Sequence, residues 1–146
     1  MMTQPVGIAI HPATWADDRA ALMAVRRAVF IEEQGVSEDE EWDEHDACCE
    51  HLLATTTKRD AVGTARLHPS GRVGRVAVLK SFRGLGIGHA LMLEIILLAS
   101  TRGLPQLVLH AQLQALEFYR RLDFEVCGEE FLEAGIAHVE MVKRLK

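Results

Sequence analysis

The chain lacks several things that would point it toward particular classes of protein. It has no excess of positive charge: 16 lysines and arginines stand against 21 aspartates and glutamates, a formal net charge of −5. A nucleic-acid-binding surface would be basic, so no nucleic-acid partner is expected. It has few cysteines, Cys48, Cys49 and Cys127, an odd count with no C-x-x-C pair. Reduced thiols in a reducing compartment follow, not a disulfide framework. Zinc is not expected either, because the run Cys48-Cys49-Glu50-His51 lacks ligand spacing and has no partner cluster elsewhere in the sequence. No hydrophobic run is long enough to cross a bilayer: the longest, Leu91–Ala99, is short and contains Glu94. Met1–Gly7 has neither the charged start nor the apolar core of a signal peptide. A cytoplasmic protein without a membrane partner is the expectation.

What is present is an ordinary globular balance. The chain has 146 residues, 49% hydrophobic and 25% charged, enough for one domain with a real core. Neither repeats nor low-complexity stretches divide it, so residues 1–146 read as a single domain.

The organising stretch is Val76–Leu91, VAVLKSFRGLGIGHAL. An apolar, β-branched run passes through Lys80–Ser81 into Arg83-Gly84-Leu85-Gly86-Ile87-Gly88, and a long helix former follows. A strand, a glycine-rich turn and a helix leave backbone N–H groups converging on one spot, with the positive end of the helix dipole behind them. That is an anion site, most naturally for phosphate. A nucleotide-hydrolysing P-loop would need Gly-Lys-Ser/Thr, and here His89 and Ala90 follow Gly88. A dinucleotide site would need G-x-G-x-x-G, and the spacing here is G-x-G-x-G.

Strands are expected at Val6–Ile10, Leu52–Thr57, Ala61–Leu67, Arg72–Val78, Leu107–His110, Phe124–Cys127 and His138–Leu145, from β-branched runs bounded by turn residues. Gly74 permits a bulge in the fourth of these. Helices are expected at Asp17–Glu33, Gly86–Arg102 and Leu113–Leu122 from apolar spacing. Thr14 or Asp17 caps the first, and Gly35 ends it. The helix Gly86–Arg102 joins the strands either side of it as a β-α-β crossover, so those two strands should be parallel. The sum is an α+β mixed sheet of six or seven strands flanked by helices. Val36–Glu50 is dense in acid around Trp42. It is either a solvated acidic loop or an acidic wall facing a cationic acceptor.

Three stretches carry a family resemblance. Arg-x-x-Gly-x-Gly at Arg83, Gly86 and Gly88, placed after a strand, resembles the acetyl-CoA pyrophosphate loop of the GNAT-type N-acetyltransferases. Leu116–Phe124, LEFYRRLDF, is similar to the A-x-x-F-Y-x-x-x-G-F helix of that family, with Asp123 where the family has glycine. R-x-x-V-F-x-x-E-Q at Arg26, Val29, Phe30, Glu33 and Gln34, then E-x-D-x-x-D at Glu41, Asp43 and Asp46, resembles the bacterial ElaA/YjcF-like branch, as does the tail Gly128–Met141.

The resemblance implies the GNAT acyl-CoA N-acyltransferase fold, with acetyl-CoA as co-substrate and no metal. The acceptor is implied to be a small-molecule or protein amine, and the assembly a homodimer. Arg83, Gly84, Leu85, Gly86, Ile87 and Gly88 are implied to hold pyrophosphate. The backbone of Val76, Ala77 and Val78 is implied to pair with the pantetheine arm in a gap between two parallel strands, with the Val78 N–H stabilising the oxyanion. Tyr119, the only tyrosine, is the candidate general acid: with Phe118 facing the core it would turn toward the cofactor, and a structural tyrosine is the alternative. His138 is the first candidate base, against a plain strand-end histidine, with Glu33, Glu41 and Asp46 behind it. His110 lines the same gap without an assigned role. Arg26 either orders the acidic loop or binds a substrate carboxylate. Direct attack in a ternary complex is expected, because no cysteine stands by the loop or Tyr119. The alternative is a catalytically degenerate CoA-binding sensor or interaction module.

Overall fold

The computed structural model describes residues 5–146; part of the Met1–Gly7 reading therefore lies outside the described residues. The chain runs β1 (Ile8–Ala13), α1 (Trp15–Arg26), α2 (Glu38–Glu41), β2 (Glu50–Thr56), β3 (Ala61–Leu67), β4 (Arg72–Val78), α3 (Ile87–Thr101), β5 (Gln106–Gln112), α4 (Leu116–Arg120), β6 (Glu125–Val126), β7 (Phe131–Glu133) and β8 (Ile136–Arg144). Thr14 is the cap of α1, accepting from Asp17 N–H at 3.1 Å. The helix therefore starts at Trp15, two residues earlier than expected. Its end differs more: from Arg27 to Glu33 the backbone widens into π-helical turns before Gly35 stops it at φ 75°.

The described sheet has eight strands in the order β1-β2-β3-β4-β5-β8-β6, with β7 also on β8. The strand not anticipated is β7, which pairs Phe131 with His138 and Glu133 with Ile136. Ala134 (φ 52°) and Gly135 (φ 74°) make its turn, and three residues of strand are too few to show an alternating pattern. β4 and β5 are parallel, as the crossover requires, and every other pairing is antiparallel.

Helix α3 covers one face. Ile87, Leu91, Met92, Ile95 and Ala99 are buried on strands β2 to β5 with Leu107, Leu109, Val139 and Met141, each fully buried large side chain contributing about 1.5–3 kcal/mol. Gly63 sets how close α3 can come: a Cβ there would sit 3.1 Å from Leu91 and 3.2 Å from both Ile87 and Ala54. The helix is less enclosed than its all-apolar sequence suggests, since Leu97 stays 60% exposed. Helix α1 covers part of the opposite face, where Val25 and Val29 pack on Ala77.

Candidate functional site

The site begins where β4 and β5 separate. They pair at only two positions, Arg72 with Val108 and Val73 with Leu109. The closed end is pinned by Val108 N–H donating to Gly71 O at 3.0 Å. Gly71 has φ 95°, and a Cβ there would lie 2.6 Å from Gln106 O, so only glycine fits that approach. Just past the paired residues β4 carries an extra residue. Gly74 faces Arg66 but Ala77 faces Thr64, and Arg75 takes φ 50°. The bulge falls next to Gly74 and bends the strand away from β5. Leu79 N–H donates to Val62 O on β3, so by strand alternation Ala77 also points its backbone groups to β3. Val76 and Val78 therefore point theirs into the gap.

The glycine loop lies at the open end of this gap. Gly84 (φ 79°) and Gly86 (φ 86°) are left-handed, and Gly86 caps α3 without any side-chain hydrogen bond. The first intrahelical bond is Ala90 N–H to Gly86 O, which leaves the N–H groups of Ile87, Gly88 and His89 free of helical partners. Ile87 turns its side chain into the core and offers the loop only backbone, while Leu85 is exposed. Gly88 has a different use from the other two, since a Cβ there would press on Phe118 at 3.4 Å. Arg83 donates through both terminal nitrogens to the Glu33 carboxylate, each at 2.6 Å, and through Nε to Val78 O at 2.9 Å. Glu33, delivered by the widened end of the first helix, is thus a clamp on the loop. The Arg83 hydrogen bonds, above all, hold its carboxyl below the usual range.

The Tyr119 ring packs inward. It is buried, edge-to-face with Phe118 and with Phe124, while Phe118 is the half-buried ring that packs over Gly88. Both residues lie within α4, which enters from a 3₁₀ turn, Leu113–Ala115, and so stay about 100° apart; what differs from expectation is that Phe118 is not the ring enclosed by the core. Burial pushes the Tyr119 phenol up to about 12.

The helix-poor face of β5 and β8 holds the two candidate histidines. His110 stands opposite Glu140, and His138 opposite Gln112. His138 is buried, stacked on Phe131, with Nδ1 2.6 Å from Ile136 O. A carbonyl only accepts, so Nδ1 carries a proton, and Nε2 lies 3.8 Å from Glu133. His110 meets Phe131 edge-on, with Arg72 2.6 Å from Nδ1, Glu133 2.9 Å from the same nitrogen and Glu140 3.5 Å from Nε2. Gln34 bonds Gln112 at 2.9 Å, tying the end of the first helix to this face.

The acidic segment divides: Glu38, Asp39, Glu40 and Glu44 are exposed, while Glu41 and Asp46 turn inward. Glu41 and Asp46 are 2% and 1% exposed, and Arg26 is 1% exposed. None of the three is on a surface that an acceptor or its carboxylate reaches, so their candidacy as substrate-binding residues is corrected here. Arg26 donates to Glu41 at 2.9 Å and to both oxygens of Asp46 at 2.7 and 3.2 Å. Its guanidinium lies between the rings of Trp15 and Trp42, 5.5 and 5.1 Å from their centroids. Two arginines that the sequence did not single out complete the cage. Arg66 forks onto Asp43 at 2.8 Å twice and reaches Asp46 at 2.8 Å. Arg75, from the bulge, donates to Glu41 O at 2.9 Å and to Asp43 at 3.1 Å. Three arginines thus meet three carboxylates. Burial would raise the Asp43 and Asp46 carboxyls, but the arginine hydrogen bonds more than offset it and hold Asp43 at about 2, with Asp46 also lowered. Glu41 goes the other way: burial dominates and raises it, and Arg75 Nε, 3.1 Å away, is not aligned to donate.

The sequence signal for this cage was Arg66 itself, a cation between Ala65 and Leu67 on a strand that reads as interior. The fold function of the cage is plain: it locks Glu38–Ala47 against the bulge that opens the gap.

Known proteins resemble this chain in sequence and in fold. The family model described as "Acetyltransferase (GNAT) domain" matches residues 20–145. The uncharacterised N-acetyltransferase YjcF of Bacillus subtilis is 37% identical over 123 residues, covering 82% of this chain and 87% of its own. Among solved structures, an acyl-CoA N-acyltransferase from Pseudomonas aeruginosa superposes with a TM-score of 0.82 at 27% identity, over 93% of this chain and 99% of its own. Escherichia coli ElaA does so with a TM-score of 0.84 at 25% identity, over 94% and 99%.

Proposed function

The chain belongs to the GNAT acetyltransferase family, and on that premise we propose that it moves an acetyl group from acetyl-CoA to a primary amine by direct attack in a ternary complex. The observation that carries the reading is the gap itself: β4 and β5 part after two residue pairs, beside a helix N-terminus that has no side-chain cap among the described residues. Both features fit the co-substrate, an amide-bearing arm attached to a pyrophosphate. When bound, acetyl-CoA supplies an acetyl carbon already activated as a thioester.

The rest falls to the chain's own groups. The backbone of Leu85–Gly88 binds the pyrophosphate, with the dipole of α3 behind it. Arg83, already paired with Glu33, holds the loop's shape more than it contributes free charge. The backbone of Val76–Val78 orients the pantetheine arm, and the Val78 N–H donates to the carbonyl oxygen as it gains charge. His138 Nε2 takes the proton of the incoming amine. Tyr119, the lone tyrosine and protonated at neutral pH, gives a proton toward the departing sulfur. The amine acceptor, a small molecule or a protein side chain, enters over the β5–β8 face between His110, Glu133 and Glu140, whose carboxylates favour a cation.

The test is thiol release from acetyl-CoA across an amine panel, run alongside CoA binding by calorimetry. Amine-dependent release, reduced about 10²-fold or more in Tyr119→Phe, supports the reading. CoA binding that no amine turns into release, with Tyr119→Phe unchanged, leaves a binding module instead of an enzyme of this mechanism.

A further inference from the structure

Two histidines and a cysteine meet away from the gap, where the acidic segment crosses the end of β3. The segment Glu44–Ala47 is a 3₁₀ helix, a conformation that eclipses side chains three residues apart. His45 and Cys48 have that separation, and Cys48 N–H closes the turn on His45 O at 3.0 Å. His68, just beyond β3, comes to them from the sheet. The two imidazoles lie edge to face with centroids 5.2 Å apart. One ring nitrogen of each histidine and Cys48 Sγ all fall within 4.8 Å of one another. His45 and Cys48 are exposed and His68 is half-buried, so an ion has a path in.

We propose that His45, Cys48 and His68 form a site for a borderline-soft divalent transition-metal ion, zinc being the best match to one thiolate and two imidazoles. A tetrahedral ion with bonds of about 2.0–2.3 Å to nitrogen and sulfur needs its ligands roughly 3.3–3.7 Å apart. The three groups close to that spacing by side-chain rotation on an exposed surface. Water fills the fourth position. His68 has the support that ligating histidines generally use: its Nδ1 lies 2.8 Å from Ser70 Oγ. The same Nδ1 accepts from Ser70 N–H at 3.1 Å, so the ring is held from two sides; metal binding through Nε2 moves the ring proton to Nδ1, which then donates to Ser70 Oγ in place of the Ser70 N–H contact. Glu44 and the acids of the preceding segment raise the local cation concentration.

The site also has a mechanical logic. Asp43 and Asp46 already grip Arg66. An ion held by His45, Cys48 and His68 grips the same two segments a second time, one turn further out. It is a staple of the acidic segment to the sheet, independent of acetyl transfer. The linear run Cys48-Cys49-Glu50-His51 hid it, because the partner cluster is supplied by the fold.

The experiment is a cobalt(II) titration of the untagged, chelator-stripped full chain. One equivalent should bring up a thiolate-to-cobalt charge-transfer band and d–d bands of tetrahedral intensity, and zinc should bleach both. Cys48→Ser should abolish the charge-transfer band. His45→Gln and His68→Gln should each weaken cobalt at least about tenfold, and Cys49→Ser and Cys127→Ser should change nothing. Zinc should raise the Tm of the wild type and not of Cys48→Ser, with metal-free circular dichroism confirming that the variants fold. No thiolate band in the wild type overturns the site, as does a band that survives Cys48→Ser or is lost in Cys49→Ser.

Discussion

Replacing Arg26 with methionine separates the two uses open to it. Methionine keeps most of the length and the apolar stem but removes four donated hydrogen bonds, one to the Glu41 carboxylate, two to Asp46 and one to the Glu41 carbonyl. Two carboxylates stay behind in the interior. Each keeps one arginine: Glu41 has Arg75 Nε at 3.1 Å, and Asp46 has Arg66 at 2.8 Å. Removing one partner of a buried ion pair costs about 3–5 kcal/mol, and the surviving arginines place this case toward the lower figure. The stacking of the guanidinium on Trp15 and Trp42 is lost as well, at about 0.5–2 kcal/mol for each ring. For a domain of this size each kcal/mol is worth roughly 2–4 °C, so Tm should fall by about 10 °C or more.

Arg26→Lys should not rescue it, because a single ammonium cannot serve two carboxylates and two aromatic faces at once. Scanning calorimetry gives the magnitude. Tryptophan emission gives the place, since Trp15 and Trp42 are the chain's two tryptophans and both flank Arg26, so their emission should shift to the red. A Tm within about 2 °C of wild type, together with a raised KM for the acceptor, would refute the cage argument and return Arg26 to substrate binding.

Other outcomes follow from single residues. Tyr119 is the only tyrosine, so ultraviolet titration reads it alone. It should ionise near 12 when folded and near its ordinary value of about 10 in denaturant. Its folded value is raised, so its contribution to stability is complete below about pH 10 and is lost as pH climbs toward 12. A native midpoint near 10 would mean the phenol is solvated. Gly63→Ala should lower stability by about 1–3 kcal/mol through overpacking against Leu91, Ile87 and Ala54, while turnover per folded molecule stays near wild type. Denaturant midpoints beside specific activity decide it. His138→Gln should lower kcat about 10²-fold or more at neutral pH. An unchanged kcat would move the base elsewhere.

Seven of the strands, the crossover and the glycine loop were legible because their signals are local: runs of β-branched residues, glycines at fixed spacing, and an apolar helix between two apolar strands. The positive φ at Asp123, 67°, was legible too, from the glycine it replaces. The acidic segment was not. E-x-D-x-x-D reads as solvent-facing until Arg66 and Arg75 arrive from two strands at sequence distances of twenty residues and more. Trp42 was the clue that the segment is anchored, and it is now seen stacking on Arg26. Tyr119 misled for a different reason. Counting degrees from Phe118 started from the premise that Phe118 is the ring facing the core, and that ring is only half-buried. His45, Cys48 and His68 lie in two segments, and only the fold joins them.

The parting of β4 and β5 has a consequence for the life of the protein as well as for its chemistry. On the proposed donor site, the backbone groups of Val76 and the Val78 N–H find their complement in acetyl-CoA, which the unfolded chain does not bind, while the Val78 carbonyl keeps its bond from Arg83. Donor at about a hundred times its Kd would then add about 2.7 kcal/mol to folding. Proteases that sample opened molecules would encounter fewer of them when the donor is plentiful. The standing amount of this enzyme would rise and fall with the supply of its own acetyl source, a feedback that needs no regulator beyond two strands that do not stay together.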